Sequence, residues 1–303
     1  EMFRKVRDKL KLPAAVLLDT KGPEIRIGKF ESESGIFLEK GQLFTLTVND
    51  TAGNDERVSV SYKNLPKNLS VGDRVLIDDG RIDMTVEKLT DTDIICRVMS
   101  GGSLTEKKGV NIPHVHIDMP YISEKDEADL RFGVEMNVDF IAASFVRSRD
   151  DVIALRKFID YYGGHDIKII AKIENYDGVK NFDEILANCD GIMVARGDMG
   201  VEIEFEKLPG IQKKFIRKCY QAGKMVITAT QMLETMIHSM TPTRAEITDV
   251  ANAVFDGTSA VMLSGETAMG DHPAHVVRVM SKIALQAEKD AMDMHIYEGV
   301  HYD

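Results

Sequence analysis

One unit recurs through the second half of the chain: an apolar strand, polar residues at its end, and then an amphipathic helix. Five such strands are predicted, with a sixth of the same type near the start of the chain, at residues 138–146, 167–174, 191–195, 225–230, 259–263 and 13–19. Strands that are apolar along their whole length are typical of a parallel sheet covered by helices. The sequence therefore predicts an α/β protein.

Helices are predicted between these strands. Ser148 is the predicted N-cap of one helix, and Thr241, with Pro242 at the first helical position, is predicted to open another that runs through Val254. Apolar residues at helical spacing predict a further amphipathic helix over residues 1–10. Alternating strands and helices supply the long crossovers that parallel strand pairing needs.

Nearly every predicted strand ends in polar residues, and this favours one parallel architecture over another. In a doubly wound open sheet, functional residues gather at the point where the strand order reverses, whereas a (βα)₈ barrel brings all strand ends to one mouth. Neither G-x-G-x-x-G nor G-x-x-x-x-G-K-[ST] occurs to support the open sheet. We therefore predict a TIM-type (βα)₈ barrel that is incomplete at its N-terminus. Six strands are found, so either two more precede Glu1 in the full protein or the barrel prediction is wrong.

Residues 25–120 have a different pattern of short alternating stretches separated by turn residues such as Asp78-Asp79-Gly80. This pattern predicts a small antiparallel β domain, a barrel or a sandwich, inserted between barrel segments 1–24 and 121–303. Because it follows a strand end directly, it should lie over the barrel mouth. It is interpreted either as a mobile cap over an active site or as a passive insertion.

Composition excludes several classes of function. The 303 residues are 44% hydrophobic and 29% charged, as in ordinary globular proteins, and no apolar run approaches the roughly 20 residues of a membrane span. A net charge of −11 argues against nucleic acid or an anionic membrane as the main partner. Phosphorylated small molecules remain possible partners, since binding them depends on local clusters of lysine and arginine and not on the net charge.

Cys96, Cys189 and Cys219 are scattered and predict reduced thiols and a cytoplasmic location.

The most informative side chains lie at the ends of two consecutive strands. Alternation along strand 167–174 places Lys172 and Glu174 on one face, and Asp198 follows the end of the next strand. Two carboxylates can hold a hard divalent cation that shares its remaining positions with a substrate, and a nearby lysine can stabilise developing negative charge. The alternative is a plain salt bridge between Lys172 and Glu174. His114 and His116 are a weaker candidate metal pair, for which a solvated loop is the favoured interpretation.

Seven short motifs follow one another along the chain: LDTKGPEIR (18–26), KKGVN (107–111), SEKD (123–126), AKIEN (171–175), ARGDMG (195–200), TQMLE (230–234) and LSGETA (263–268). In this order they resemble the catalytic region of the pyruvate kinase family. Each motif alone is a modest signal, but the ordered set, from about residue 12 to about residue 282, is highly specific.

The resemblance implies two kinds of metal site. Glu174 and Asp198 match the residues that bind Mg²⁺ or Mn²⁺, which also holds the substrate carboxylate and enolate oxygen, and Lys172 matches the lysine beside the transferring phosphoryl group. Asp19 and Thr20 resemble two ligands of a monovalent cation, K⁺. The LDTKGPEIR motif, with its glutamate at position 24, fits the K⁺-dependent pattern of the family.

The resemblance also implies substrate contacts. The residues that match those around phosphoenolpyruvate are Lys172, Ala195, Arg196, Gly197, Asp198 and Thr230, with residues 195–198 as a turn of backbone N–H groups. Those that match nucleotide contacts are Arg26, Lys108 and Asp79. Catalytic roles are implied for Lys172, Thr230 and Ser264, the last on a water-mediated proton path. Alternatives remain: a buried strand threonine for Thr230, as expected for Thr228, solvated hinge charges for Arg26 and Lys108, and a turn aspartate for Asp79.

The reaction implied is transfer of a phosphoryl group from phosphoenolpyruvate to ADP, giving ATP and pyruvate in glycolysis. The full-length protein is implied to be a homotetramer. The family's early Arg-x-Asn-x-Ser stretch and its C-terminal effector domain have no match, so we expect a catalytic region truncated at both ends. Two other functions remain possible: a Mg²⁺-dependent pyruvate or oxaloacetate lyase or aldolase on the same barrel, and an inactive fragment that acts as a binding module.

Overall fold

The chain forms a parallel sheet flanked by helices and a second, mixed sheet, in a computed structural model that describes residues 2–294. The strands are β1 (Leu17–Asp19), β2 (Ile25–Arg26), β3 (Ile36–Leu38), β4 (Leu43–Thr47), β5 (Arg57–Ser59), β6 (Arg74–Ile77), β7 (Ile82–Leu89), β8 (Asp93–Ser100), β9 (Gly102–Leu104), β10 (Gly109–Asn111), β11 (Phe140–Ala143), β12 (Lys168–Ile173), β13 (Gly191–Ala195), β14 (Met225–Ala229) and β15 (Ala260–Val261). The helices are α1 (Met2–Leu10), α2 (Leu65–Asn68), α3 (Glu124–Glu135), α4 (Arg149–Tyr161), α5 (Tyr176–Lys180), α6 (Phe182–Asn188), α7 (Arg196–Glu202), α8 (Leu208–Gln221), α9 (Arg244–Phe255), α10 (Gly265–Ala268) and α11 (Pro273–Asp293), with 3₁₀ turns at Phe205–Lys207 and Glu234–Ile237.

The parallel sheet contains the six predicted strands in the order β1-β11-β12-β13-β14-β15. Every neighbouring pair is parallel, and the strands follow chain order without a reversal. A doubly wound sheet would have a reversal, whereas a barrel wall does not. The predicted α/β class and incomplete TIM-type barrel are therefore confirmed, although several strands are shorter than predicted.

The sheet separates two apolar clusters. Alternate residues of β12, Ile169, Ala171 and Ile173, pack in the larger cluster, which includes the helices. Ile170 faces the other way and packs in a smaller cluster with residues of the neighbouring strands. Lys172 and Glu174 share the parity of Ile170, so they project on the side of the sheet that faces away from the helices.

Of the two predicted helix starts, one is observed and the other is wrong. Ser148 is at the N-cap of α4, as predicted, but its side chain makes no capping hydrogen bond. The start predicted at Thr241 and Pro242 is wrong, because α9 begins at Arg244 with Thr243 as its N-cap. Thr243 and Glu246 form a reciprocal capping box, which satisfies backbone N–H groups of the first turn and fixes the start two residues later.

The inserted segment forms a seven-stranded sheet in the order β2-β10-β6-β7-β8-β4-β5, and β3 pairs with β9 in a separate ribbon. Most pairs are antiparallel as predicted, but β4 and β5 are parallel, so the sheet is mixed. Because these two strands are parallel, the loop between them runs back along β4 before the chain enters β5. Within this loop, Gly53 makes backbone hydrogen bonds with Lys29 and Glu31. The domain limits at residues 24/25 and 120/121 remain a prediction.

The described residues also bear on the predicted state of the cysteines, on membrane spans and on the first predicted helix. Cys96, Cys189 and Cys219 are free and buried, and burial raises the pKa of Cys189 to about 11 and of the other two to about 12. Among residues 2–294, no helix is both long and apolar enough to cross a membrane. The predicted helix over residues 1–10 is observed as α1, while Glu1 and the end of the predicted barrel segment, 295–303, lie outside the described residues.

Candidate active site

The side chains at the carboxyl end of β12 meet those of two neighbouring strand ends. Lys172 Nζ lies 3.2 Å from Glu174 Oε1 and 3.0 Å from Asp19 Oδ1, and it donates a hydrogen bond of 2.8 Å to Ser144 Oγ. The ion pair between Lys172 and Glu174, which was the simpler interpretation, is therefore present. It is part of a larger polar cluster that also includes the end of β1 and the residue after β11.

Glu174 is the most buried ionisable group of this cluster, with 2% of its side chain exposed. Its Oε2 accepts a hydrogen bond of 2.6 Å from the backbone N–H of Phe145. Burial raises the pKa of Glu174 to about 7, and the nearby charge of Asp198 adds to the increase, while Lys172 and Phe145 oppose it. A nearby cation would favour the ionised carboxylate, which is the form that binds metals.

Asp198 lies in the first turn of α7. Residues 195–198, expected to form a turn of backbone N–H groups, are the first turn of α7, with Ala195 at the N-cap. Burial raises the pKa of Asp198; Lys172 opposes this increase, and the charges of Asp79 and Glu24 add to it. The charge of Asp198 thus reaches Glu174, whose pKa it helps to raise.

The carboxylate oxygens of Glu174 and Asp198 suit a hard cation that has few protein ligands. Glu174 and Asp198 offer only carboxylate oxygens, which Mg²⁺ and Mn²⁺ prefer over nitrogen or sulfur. Within residues 2–294, no group of three or more His, Cys, Asp or Glu side chains is arranged to hold a metal ion. A cation at Glu174 and Asp198 would therefore take its other ligands from water or a substrate.

Ser144, the residue after β11, organises the end of β1. Its Oγ donates to the carbonyl oxygen of Thr20 at 2.7 Å, and its N–H donates to Thr20 Oγ1 at 3.0 Å. The Thr20 hydroxyl in turn donates to the Ala142 carbonyl. The Asp19 carboxylate is 62% exposed and also accepts from Lys172. Asp19 can therefore offer an oxygen to a monovalent cation, whereas the Thr20 hydroxyl is already engaged.

Thr230 lies beside the start of α7 in a left-handed backbone conformation, with φ of 71°. Its Oγ1 accepts a hydrogen bond of 2.8 Å from the Gly197 N–H and donates one to the Ala229 carbonyl. Thr230 is therefore next to the predicted N–H groups. Thr228, by contrast, is fully buried and bonds to Thr258, as expected for a strand threonine.

The Arg196 side chain does not join this group of N–H donors. Its guanidinium forms an ion pair of 2.7 Å with Asp249 on α9 and donates to the Thr230 carbonyl. The guanidinium therefore stabilises the backbone at Thr230. Because it is engaged in these bonds, it is not directed toward the substrate contact that the resemblance implies. The implied substrate contact at Arg196 could come only from its backbone N–H.

Ser264 is at the N-cap of α10, after the last strand of the sheet. Its Oγ is buried and has no hydrogen-bond partner among the described residues, while its backbone N–H donates to Glu266 Oε2 at 2.7 Å. A buried hydroxyl without a partner is costly, and such groups are often explained by a water or a ligand. This is consistent with the proton path that the resemblance implies.

A cleft of about 330 Å³ separates the inserted sheet from the barrel strand ends. The residues that line it include all three predicted nucleotide contacts, Arg26, Asp79 and Lys108, and also Asp198 and Glu202. Sequence analysis missed Glu202, for which the only signal was its position one helical turn after Asp198. The structure thus brings the predicted nucleotide residues and one predicted metal ligand to the same space.

Arg26 and Lys108, the two cations among the predicted nucleotide contacts, are each paired with a nearby carboxylate. Arg26 donates two hydrogen bonds of 2.7 Å to Glu24, which raise the pKa of Arg26, and Lys108 Nζ lies 2.8 Å from Asp78 Oδ1. Glu24, at its position in the K⁺-dependent motif, thus holds the guanidinium. A phosphate entering the cleft would compete with these carboxylates for the same donors.

The two histidines of the weaker metal candidate contact different residues. His116 Nδ1 lies 2.6 Å from Asp177 Oδ2, and the His114 ring packs edge-on against Tyr176 at 4.7 Å between centroids. Neither belongs to a group that could hold a metal among residues 2–294. The interpretation as a loop is therefore favoured.

The raised pKa of Glu174 predicts a pH dependence of stability in the metal-free protein. Its pKa is about 7 in the folded protein, against an ordinary value of 4.5, so the folded state holds more protons between these values than the unfolded state. Stability from this group is therefore greatest below pH 4.5 and is lost as pH rises through about 7. We expect urea unfolding without divalent metal to show this decrease in wild type and in Glu124→Gln, but not in Glu174→Gln. The same pH slope in Glu174→Gln would contradict the assignment.

Comparison with known proteins gives one consistent result. A family model described as "Pyruvate kinase, barrel domain" matches residues 1–277. The chain is 50% identical to a pyruvate kinase of Clostridium perfringens over 289 residues, which is 95% of this chain and 61% of the relative. It is 50% identical to one of Geobacillus stearothermophilus over 277 residues (91% and 47%) and 48% identical to one of Bacillus licheniformis over 289 residues (95% and 49%). The chain thus spans about half to three-fifths of these curated relatives.

Proposed function

We propose, since this chain belongs to the pyruvate kinase family, that it transfers the phosphoryl group of phosphoenolpyruvate to ADP, giving ATP and pyruvate. The observation that carries the proposal is the cleft in which Arg26, Lys108 and Asp79 face Asp198. Asp198 is electrostatically coupled to Lys172, which contacts Glu174. The proposed nucleotide region would therefore adjoin the proposed metal and enolate region.

Phosphoryl transfer asks the protein mainly to position two anionic substrates and to stabilise spreading charge. Glu174 and Asp198 would hold Mg²⁺ or Mn²⁺, which when bound neutralises charge on the substrate carboxylate and the enolate oxygen. Lys172 supplies a fixed positive charge beside them in a largely buried position. Asp19, with the Thr20 carbonyl, would hold K⁺ on the other side of Lys172.

The remaining residues orient the substrates. The Gly197 and Asp198 N–H groups at the start of α7 would bind the substrate carboxylate, and the Thr230 hydroxyl would turn from its local bonds toward the same group. Arg26 and Lys108 would exchange their carboxylate partners for nucleotide phosphates. The Ser264 hydroxyl, for which residues 2–294 supply no hydrogen-bond partner, would hold a water on the path that protonates the enolate.

The test is pyruvate formation by this chain from phosphoenolpyruvate with MgADP and K⁺, with a full-length pyruvate kinase as positive control. Turnover that requires ADP supports the proposal. Release of pyruvate from oxaloacetate or an aldol substrate without ADP would favour the lyase or aldolase. Binding of Mg²⁺ and phosphoenolpyruvate without turnover would favour a binding module. We also propose, on the family resemblance, a homotetramer for the full-length protein and a cytoplasmic location.

A further inference from the structure

A hydrogen bond joins the inserted sheet to the barrel across the cleft. Asn111 Nδ2, at the end of β10, donates to Glu202 Oε1, at the end of α7, over 3.3 Å. Both side chains line the cleft and are half-buried. Neither residue belongs to the metal cluster or to the set of predicted nucleotide contacts, so the function of this bond is not explained by the proposed chemistry.

The barrel side of this bond is firmly held. Glu202 Oε2 accepts a hydrogen bond of 2.9 Å from the backbone N–H of Tyr176, the first residue of α5. One carboxylate oxygen is therefore fixed to the barrel, and the other is directed at the inserted sheet. Burial raises the pKa of Glu202, and the charges of Asp177 and Asp198 add to the increase.

The inserted side is connected to the predicted nucleotide contacts. Strand β10 begins directly after Lys108 and pairs with β2, where Gly109 lies opposite Arg26. It also pairs with β6, which leads into the turn that contains Asp79. Because two hydrogen-bonded ladders connect Asn111 to these residues, the position of Asn111 determines the position of all three above the barrel.

A second part of the inserted sheet lies close to the same end of α7. A methyl group added at Gly80, in the turn after β6, would come within 3.8 Å of Val201 Cγ1. Val201 immediately precedes Glu202, so Gly80 and Asn111 both lie near the end of α7. Apart from this end of α7, residues 114–119 of the inserted segment also contact the barrel, through Tyr176, Asp177 and Arg147.

Charge explains why an asparagine suits this position. Asp79 of the inserted segment and Glu24 just before it are near enough to Asp198 of the barrel for these like charges to repel one another. A carboxylate at position 111 would add to this repulsion against Glu202. The neutral amide instead supplies a donor to Glu202 without adding a negative charge to the cleft.

We propose that the Asn111–Glu202 contact holds the inserted sheet in its closed position over the barrel mouth and thereby positions Arg26, Lys108 and Asp79 for nucleotide. Asn111 and Glu202 are positioning residues, since neither is argued to touch a reacting atom. The nucleotide part of this inference rests on the proposed function, whereas the contact itself can be tested without turnover.

The test exchanges the donor and the acceptor. Asn111→Asp places two carboxylates against each other, and Glu202→Gln removes the acceptor charge while preserving its shape. The double variant Asn111→Asp/Glu202→Gln restores the pair with the roles reversed: the new amide at position 202 can donate to the new carboxylate at position 111, while the amide oxygen accepts from the Tyr176 N–H. Asn49→Asp is the matched control, because Asn49 is exposed on the same inserted segment.

The distance between the two parts can be measured with spin labels. Val71→Cys on the inserted segment and Tyr161→Cys on α4 place labels at positions that are 66% and 82% exposed. The three native cysteines are buried with raised pKa values, so they should not be labelled. We expect Asn111→Asp to shift the distance distribution toward longer values, the double variant to restore it, and Asn49→Asp to leave it unchanged.

Kinetics provide the second measurement. We expect Asn111→Asp to raise the KM for MgADP by about 10–150-fold, the factor that follows from losing a hydrogen bond to a charged group. The KM for phosphoenolpyruvate should change much less, and the double variant should recover most of the loss for MgADP. A merely structural defect would raise both KM values and would not be rescued by reversing the pair.

The results of these measurements distinguish the proposed role of the Asn111–Glu202 contact from the proposed phosphoryl transfer. Distances that do not respond to Asn111→Asp, or that the double variant fails to restore, would overturn the contact even if the chain makes pyruvate. Distances that respond and recover, in a chain with no ADP-dependent turnover, would support the contact and reject the proposed function. Thermal unfolding of each variant identifies any that fail to fold, and Glu202→Gln, as an isosteric change, then provides the same distance test alone.

Discussion

Replacing Lys172 with methionine is expected to lower the rate of phosphoryl transfer by about 10²–10³-fold. Lys172 Nζ lies within 3.2 Å of Glu174 and 3.0 Å of Asp19 and has a side chain only 12% exposed, so its charge is fixed before substrate binds. Removing one such preorganised group typically costs ~3–4 kcal/mol of transition-state stabilisation. The measurement is kcat in the ADP-dependent assay with saturating Mg²⁺ and K⁺.

Lys168→Met is the matched control for this substitution. Lys168 is on the same face of β12 but at the opposite end of the strand, where it is exposed and lies 3.9 Å from Asp190. It should retain wild-type kcat. Lys172→Met should still bind Mn²⁺, and this is best measured at alkaline pH, because losing the lysine raises the Glu174 pKa further. Full activity in Lys172→Met would remove Lys172 from the catalytic assignment.

Glu174→Gln is expected to weaken Mn²⁺ binding in the presence of phosphoenolpyruvate by at least about 10–100-fold. Even the residues that only orient a metal ligand contribute this much to affinity, and Glu174 is argued to be a ligand itself. The glutamine can still accept the N–H of Phe145, and Lys172 keeps Asp19 as a partner. The free energy of unfolding should therefore change far less than metal affinity does.

A Mn²⁺ titration of wild type, Glu174→Gln and Glu124→Gln checks this expectation. Glu124 is exposed in the first turn of α3 and should behave as wild type. Adding phosphoenolpyruvate should tighten Mn²⁺ binding in wild type, because the substrate supplies oxygen ligands that the two carboxylates leave open. Equal Mn²⁺ affinity in all three proteins would return Glu174 to a plain salt bridge with Lys172.

The sequence alone determined the features that depend on residues close together in the chain. A period of two places Lys172 and Glu174 on one face of β12, and that is where they lie. Apolar runs between amphipathic helices predicted the six parallel strands and the barrel class. The ordered motifs predicted the family that the comparisons report. The helix start at Thr241 was wrong, since the reciprocal bond between Thr243 and Glu246 was overlooked.

Only the tertiary structure decided which strand ends meet and what each side chain does there. Ser144 and Thr20 are 124 residues apart in the chain, yet their two hydrogen bonds organise the first strand end. The contact between Asn111 and Glu202 joins segments 91 residues apart. Burial, which raises the pKa of Glu174, likewise comes from surroundings that distant segments supply. Local periodicity fixes the direction in which a side chain points, whereas its partners, its solvent exposure and its pKa depend on long-range packing.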